Sequence, residues 1–190
     1  GSAHIREVLE EVAGHVERVH EVPPGVDVDE FRPLPRDEAL TRLLDEARRD
    51  PPNPGNANER LPDEENAQRF AEFFAQPGPT VLYFGKLIYN KGVHLLLEAV
   101  GGLDAKAVVV GFGDYRHELE AMAGERVLFT GPLEHRHVAP LLPLCEVAVV
   151  PSIFPEAFGM VAAEAAAAGV PPLVGRHSGL AEVAKGLEAE

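Results

Sequence analysis

The chain has 190 residues, 45% hydrophobic and 25% charged, and a formal net charge of -14. That is enough for one domain with its own core, by a usual size of ~100–200 residues per domain; the acidic balance excludes non-specific binding to nucleic acid or to an anionic membrane, since both need a basic face. No apolar run approaches the ~20 residues of a membrane span and no signal-peptide pattern is present; the single cysteine, Cys145, excludes an internal disulfide and reads as a buried structural thiol, so a cytoplasmic location is expected.

In chain order, Ile5, Val8, Leu9 and Val12 recur at helical spacing, so Ser2–Gly14 predicts an amphipathic helix. His15–Glu21 alternates and predicts a strand, broken by Pro23-Pro24-Gly25. Asp27 and Asp29 read as turn residues. Arg36–Arg49 and Pro62–Ala75 predict two polar-faced helices, separated by a turn-rich loop at Pro51–Pro62. Strand-like runs follow at Thr80–Phe84, Ala107–Val110, Val127–Thr130, Val147–Val150 and Pro172–Val174. Helix-like runs alternate with them at Gly92–Val100, Tyr115–Ala123, His137–Leu142, Gly159–Ala168 and Leu180–Leu187. This alternation predicts an α/β fold: a Rossmann-like parallel sheet with helices on both faces, binding ligands beyond the carboxyl ends of its strands.

The densest chemistry lies in PEAFGMVAAE, Pro155–Glu164. Glu156 falls in a loop after a strand, Glu164 on the helix that follows, and the helix amino terminus near Gly159 lies between them. Free amides and the helix dipole make such a terminus an anion site. Two carboxylates beside it suit a ligand carrying both phosphate and hydroxyls, as a nucleotide sugar does. The neighbours of Glu164 are alanines, which implies close packing, and a glutamate there without a partner is costly. Gly85 allows a phosphate to approach the backbone closely, and Lys86 and Lys91 offer positive charge to it; the bland alternative is two solvated lysines. Gly111-Phe-Gly113 is a poor dinucleotide fingerprint, because Arg116 stands where the third glycine is needed. His135 and His137 point apart at their spacing, with no third ligand near in sequence, and read as surface histidines; His94 and His117 read as solvent-facing or packed on a turn. No metal site is expected.

The PEAFGMVAAE stretch resembles the E-x7-E motif of retaining glycosyltransferases with the GT-B fold, of the group 1, family 4 type. The resemblance extends to VPPGVDVDEFRP (Val22–Pro33), YFGKLIYNKGVHLLLEAV (Tyr83–Val100), VVVGFGDYRHELEAMA (Val108–Ala123), VLFTGPL (Val127–Leu133) and HSGLAEV (His177–Val183), in the family's order. It implies the carboxyl-terminal, donor-binding half of such an enzyme. Residues 1–33 are expected to be a junction helix and lead-in strand, 34–79 a helical insertion without a counterpart in the family, and 80–190 the nucleotide-sugar-binding domain, cut short at its carboxyl end. The resemblance also implies roles. Lys86 and Lys91 neutralise the diphosphate, with a looser grip at Lys86 because the family more often has arginine there. Glu164 accepts from the ribose hydroxyls and Glu156 touches the donor sugar. The backbone of Phe158, Gly159 and Met160 faces the sugar or distal phosphate. Gly111 and Gly113 line the donor cleft, or are only tight-turn glycines. Gly131 gives room to the nucleobase.

The expected partners are a UDP-, GDP- or ADP-sugar and a missing amino-terminal GT-B domain, without a cofactor or metal. An apolar seam is expected where that domain docks. On this reading the chain binds nucleotide but does not turn over. The alternatives are a non-catalytic nucleotide-sugar-binding or regulatory module and a flavin- or NAD-binding Rossmann domain.

Overall fold

The computed structural model describes residues 2–15 and 18–185. The five strands are β1 (Thr80–Phe84), β2 (Lys106–Val110), β3 (Val127–Phe129), β4 (Val147–Val150) and β5 (Pro172–Val174). They form one parallel sheet in the order β3-β2-β1-β4-β5. Its β-branched and apolar strands, buried from both sides, suit a parallel sheet covered twice. The helices are α1 (Ala3–Ala13), α2 (Arg36–Ala47), α3 (Asn66–Ala75), α4 (Val93–Gly101), α5 (Arg116–Met122), α6 (His135–Leu141), α7 (Met160–Ala167) and α8 (Ser178–Ala184).

Alternate residues of β1 to β4 feed opposite cores, as the period of two requires. Leu82, Val108, Leu128 and Ala148 pack with residues of α2, α3, α6 and α7. Tyr83, Val109, Phe129 and Val149 pack with residues of α4 and α5. A small third cluster, Val150, Ala162 and Leu180, joins α7 to α8. Cys145 is buried, and desolvation pushes its thiol well up.

The 34–79 segment belongs to the main core rather than standing apart. Ala39 and Leu43 of α2 and Phe70 and Phe73 of α3 share one cluster with Leu82 and Val108. Polar ties add to this. Asp63 takes a two-pronged ion pair from Arg116, at 2.9 and 2.6 Å. Asn66 Nδ2 donates to the Thr130 carbonyl at 2.8 Å. Lys106, on β2, is 0% exposed, and its ammonium caps the end of α3 by donating to the carbonyls of Phe73 and Gln76 at 2.7 and 2.6 Å.

The amino-terminal region departs from expectation in one place. α1 forms, capped by Ser2 and by Glu182 of α8, whose carboxylate accepts from the Ala3 and His4 amides at 2.9 and 2.7 Å. The strand expected over His15–Glu21 does not. Val16 and Glu17 lie outside the described residues, and the described remainder is not in the sheet. Arg18 adopts a left-handed φ of 72°, which an extended run does not sustain. The expected last helix ends at Ala184, with Leu187 outside the described residues. The apolar stripe of α1 stays uncovered, with Val12 83% exposed.

Candidate functional site

β1 is the point where the sheet order reverses, with β2 on one side and β4 on the other. Parallel sheets open a crevice beyond the strand ends at such a switch point. A cleft of about 800 Å³ lies there, walled by the end of β1 (Tyr83 to Lys86), the end of β4 (Val150, Ser152) and the loop and first turn of α7 (Glu156 to Val161). A second lobe of about 360 Å³ shares Phe84, Gly85, Lys86, Met160 and Val161 with it and extends to Gly111, His135 and Glu164. The two lobes therefore form one groove, divided by a common wall.

In the larger lobe, Lys91 Nζ lies 2.5 Å from Glu156 Oε1. Ser152 Oγ donates to the same oxygen. The Glu156 amide is held by Ser178 Oγ at 2.9 Å, and its carbonyl accepts from the Gly179 amide at 2.9 Å. Burial acts to raise the Glu156 carboxyl, but the hydrogen bonds from Lys91 and Ser152, with the charge of Lys91, outweigh it and lower it. Gly92 follows Lys91 with φ 67°, and a Cβ there would stand 2.1 Å from the Pro151 carbonyl oxygen. Only glycine lets the Lys91 turn approach the end of β4 that closely. Tyr83 donates to the Lys86 carbonyl at 2.7 Å, and burial followed by the Glu156 charge pushes its phenol up.

In the smaller lobe, Glu164 is 7% exposed and makes no side-chain hydrogen bond among the described residues. The basic side chain beside it is His135, with Nε2 at 3.8 Å; the other ring nitrogen lies 3.7 Å from Glu30. Burial raises the Glu164 carboxyl, His135 pulls it down and Glu30 pushes it up, and the balance is upward. Between the lobes, α7 starts behind Gly159 with no side-chain cap and no acidic residue in its first turn. Its leading amides are left without a side-chain cap, the arrangement that suits an anion.

The structure brings most of the expected residues together. Gly85, Lys86, Lys91, Glu156, Phe158, Gly159 and Met160 line the larger lobe, and Gly111 and Glu164 the smaller. Two glycines are placed otherwise. Gly113 lines neither lobe; it packs on the Leu87 backbone and borders a separate polar pocket, as a turn glycine. Gly131 lines neither lobe, and a Cβ there would meet Asp63 Oδ1 at 2.7 Å and the Asp63 amide nitrogen at 2.9 Å. Its missing side chain makes room for the 34–79 segment. His137 is not a surface residue: it is fully buried, with Nε2 2.9 Å from Asp50 Oδ1, while His135 is exposed. Arg116, where a dinucleotide fingerprint needs glycine, is committed to Asp63.

Other residues were not legible as site residues. Ser152 and Ser178 hold Glu156, in the loop before α7, and His177 bridges the two serines; the signal of His177 and Ser178 lay in the HSG corner, which was read only as a strand-to-helix turn. His135 gave no sign of standing beside Glu164 across α6 and α7. Among the described residues, no helix is long and apolar enough to cross a membrane.

Known proteins share this sequence and fold. The chain is 33% identical over 179 residues to a D-inositol 3-phosphate glycosyltransferase of Xylanimonas cellulosilytica, covering 88% of this chain and 37% of the relative. The chain thus spans little more than a third of that protein's length. Anabaena HepE in complex with UDP and glucose superposes with a TM-score of 0.69 at 22% identity, over 93% of this chain and 43% of that one. The carboxyl-terminal domain of a group 1 glycosyl transferase (LpcC) from Francisella tularensis gives 0.56 at 20% identity, over 82% and 72%. Both structural likenesses are likenesses of fold: the Rossmann-like half of a GT-B architecture. Residues 64–189, from the start of α3 onward, match the family described as Glycosyl transferases group 1. The chain belongs to the group 1 glycosyl transferases.

Proposed function

We propose that this chain is the donor-binding domain of a retaining glycosyltransferase, taking a nucleoside-diphosphate sugar and serving its transfer to an acceptor hydroxyl. The observation that carries this reading is the two-lobed groove. A cation–carboxylate pair stands at one end, a buried carboxylate without hydrogen bonds at the other, and an uncapped helix terminus lies between them. That order matches sugar, diphosphate and ribose along one extended ligand. The ribose diol supplies two O–H donors to Glu164, whose oxygens are otherwise unmet. The diphosphate lies over the α7 amides with Lys86 and Lys91 beside it. Lys91 has three N–H groups and spends one on Glu156, leaving two for phosphate oxygens. Glu156, held by Ser152 and Lys91, presents its remaining lone pairs to sugar hydroxyls. These donors stabilise the charge that develops as the diphosphate departs, so the domain needs no bound metal on this reading.

The relatives support it: HepE was crystallised with UDP and glucose, and LpcC's similar domain is the carboxyl-terminal one of its protein. On this reading the acceptor site and the transfer itself need an amino-terminal GT-B domain, and the 190-residue chain binds donor without turning it over. Thermal shift with UDP, GDP, ADP and their glucose or mannose conjugates tests the proposal. Ligand at about 100 times its dissociation constant adds roughly 2.7 kcal/mol, or about 5–10 °C for a chain of this size. A shift confined to one base, lost in Glu164→Ala, is the expected result. No shift with any of these ligands, or rapid sugar transfer by this chain alone, contradicts it.

A further inference from the structure

The hydrogen bonds around Glu156 close into a ring through a residue that does not line the groove. The Ser152 hydroxyl donates to the Glu156 carboxylate. The Ser152 carbonyl lies 2.9 Å from His177 Nε2. His177 Nδ1 lies 3.0 Å from Ser178 Oγ, and Ser178 Oγ accepts the Glu156 amide at 2.9 Å. The chemistry fixes the protons. A carbonyl only accepts, so Nε2 carries hydrogen; in the neutral ring Nδ1 is then an acceptor and takes the Ser178 hydroxyl proton. The Ser178 oxygen keeps its lone pairs for the Glu156 amide, so every group in the ring has a single consistent role.

Two local features fit this ring. Ser178 sits at a left-handed φ of 53°, a strained conformation for a residue with a side chain, and that conformation brings its hydroxyl to both Glu156 and His177. Gly175 leaves space for the imidazole: a Cβ there would stand 2.7 Å from Nε2. Neither feature touches the groove itself.

We infer that His177 is a positioning residue. Its neutral Nε2–H form ties the end of β4 to the start of α8 and so holds the Glu156 carboxylate in its pair with Lys91. What the held pair does for a donor sugar rests on the function proposed above; the positioning itself does not.

The test uses the 190-residue chain with His177→Ala and His177→Gln. Glutamine keeps a donor and an acceptor at similar reach but carries no charge, so it separates positioning from the electrostatic effect of the ring. Nitrogen-15 NMR of the wild type is expected to show Nε2 protonated and Nδ1 bare. Carbon-13 titration of the Glu156 carboxyl is expected to show it below an ordinary glutamate in the wild type. It should return toward the ordinary value in His177→Ala and stay low in His177→Gln. With UDP, GDP, ADP and their glucose or mannose conjugates, His177→Ala is expected to lose about tenfold in its preference for the conjugate over the free diphosphate, the size of one charge-assisted hydrogen bond. His177→Gln should keep most of it.

An unchanged Glu156 titration in His177→Ala overturns the inference. So does a folded His177→Gln that fails to restore it. If His177→Ala does not fold, the wild-type tautomer and the glutamine variant decide: an Nδ1–H ring, or a Glu156 that titrates normally in His177→Gln, overturns the inference. If no probe binds the wild type, the donor proposal fails while the Glu156 titration still decides the role of His177.

Discussion

The two ends of the groove hold their carboxylates in opposite ways. Glu156 is met before any ligand arrives: by Lys91, by Ser152 and, through its backbone, by the start of α8. Glu164 is buried more deeply and met by almost nothing, with one imidazole at 3.8 Å. The first end is preorganised, so a ligand finds donors and acceptors already aimed. The second carries a standing cost that only a ligand's own donors remove. The contrast teaches that affinity should arise mainly at the Glu164 end and geometric selectivity mainly at the Glu156 end.

Four changes break or sharpen that contrast. The largest effect is expected from Gly111→Ala, which strikes the wall shared by both lobes. At φ 143° its Cβ would stand 1.8 Å from the Gly85 carbonyl oxygen, backbone that cannot turn aside. A loss of about 2–4 kcal/mol is expected, or a midpoint about 4–16 °C lower by thermal melt. A melt unchanged from wild type means that the β1 and β2 corners are not so tightly joined.

Lys91→Ala comes next and attacks the prepared end alone. It leaves Glu156 half-buried without its cation, at a cost of about 1–3 kcal/mol near neutral pH. The sign with pH follows from the lowered Glu156 carboxyl. The pair's stabilisation is present above the value of an unfolded glutamate and disappears as pH falls through the lower folded value. Melting curves of wild type and variant should therefore converge in acid, and a constant gap across that range speaks against the pair.

Glu164→Gln attacks the other end and should act the opposite way on stability. The raised Glu164 carboxyl means that its buried charge costs stability at pH above the raised folded value, a cost that vanishes as pH falls through it. The variant should be about 1 kcal/mol more stable than wild type near neutral pH, with the advantage fading in acid. Nucleotide affinity should fall about tenfold or more, measured by calorimetry. A variant that is destabilised and still binds refutes the assignment of this end.

Lys86→Ala is the mildest. Lys86 is exposed on the common wall, so stability should stay within about 0.5 kcal/mol. Nucleoside-diphosphate affinity should fall severalfold and lose part of its salt dependence, since an exposed cation acts through a screened charge. No change in either leaves Lys91 and the α7 terminus to hold the phosphates.

Much of the fold was readable because apolar strands alternating with helical runs admit few arrangements. The five strands lie where their apolar runs put them, within a residue or so at each end. Glu156, Glu164, Lys86 and Lys91 were readable because their residue types stand at strand-to-helix corners, where such sheets bind. What failed had a common cause in tertiary contact. His137 looked like a surface histidine because nothing near it in sequence foretells Asp50, which lies across α2 and α6. Gly131 looked like space for a ligand because its neighbour, Asp63, arrives from a segment that was read as an insertion. No local pattern reveals that Lys106, which opens β2, closes the end of α3. His15–Glu21 had the alternation of a strand but a left-handed Arg18.

The Asp63 tie has a consequence for anyone who recombines this domain with its relatives. Asp63 is clasped by Arg116 at the start of α5, its amide donates to the Thr130 carbonyl at 2.8 Å, and it presses on Gly131. Segment 34–79 and the corners after β2 and β3 are therefore a single cassette. A chimera that borrows a new corner must carry the matching 34–79 segment with it, or leave a buried carboxylate stranded at the seam.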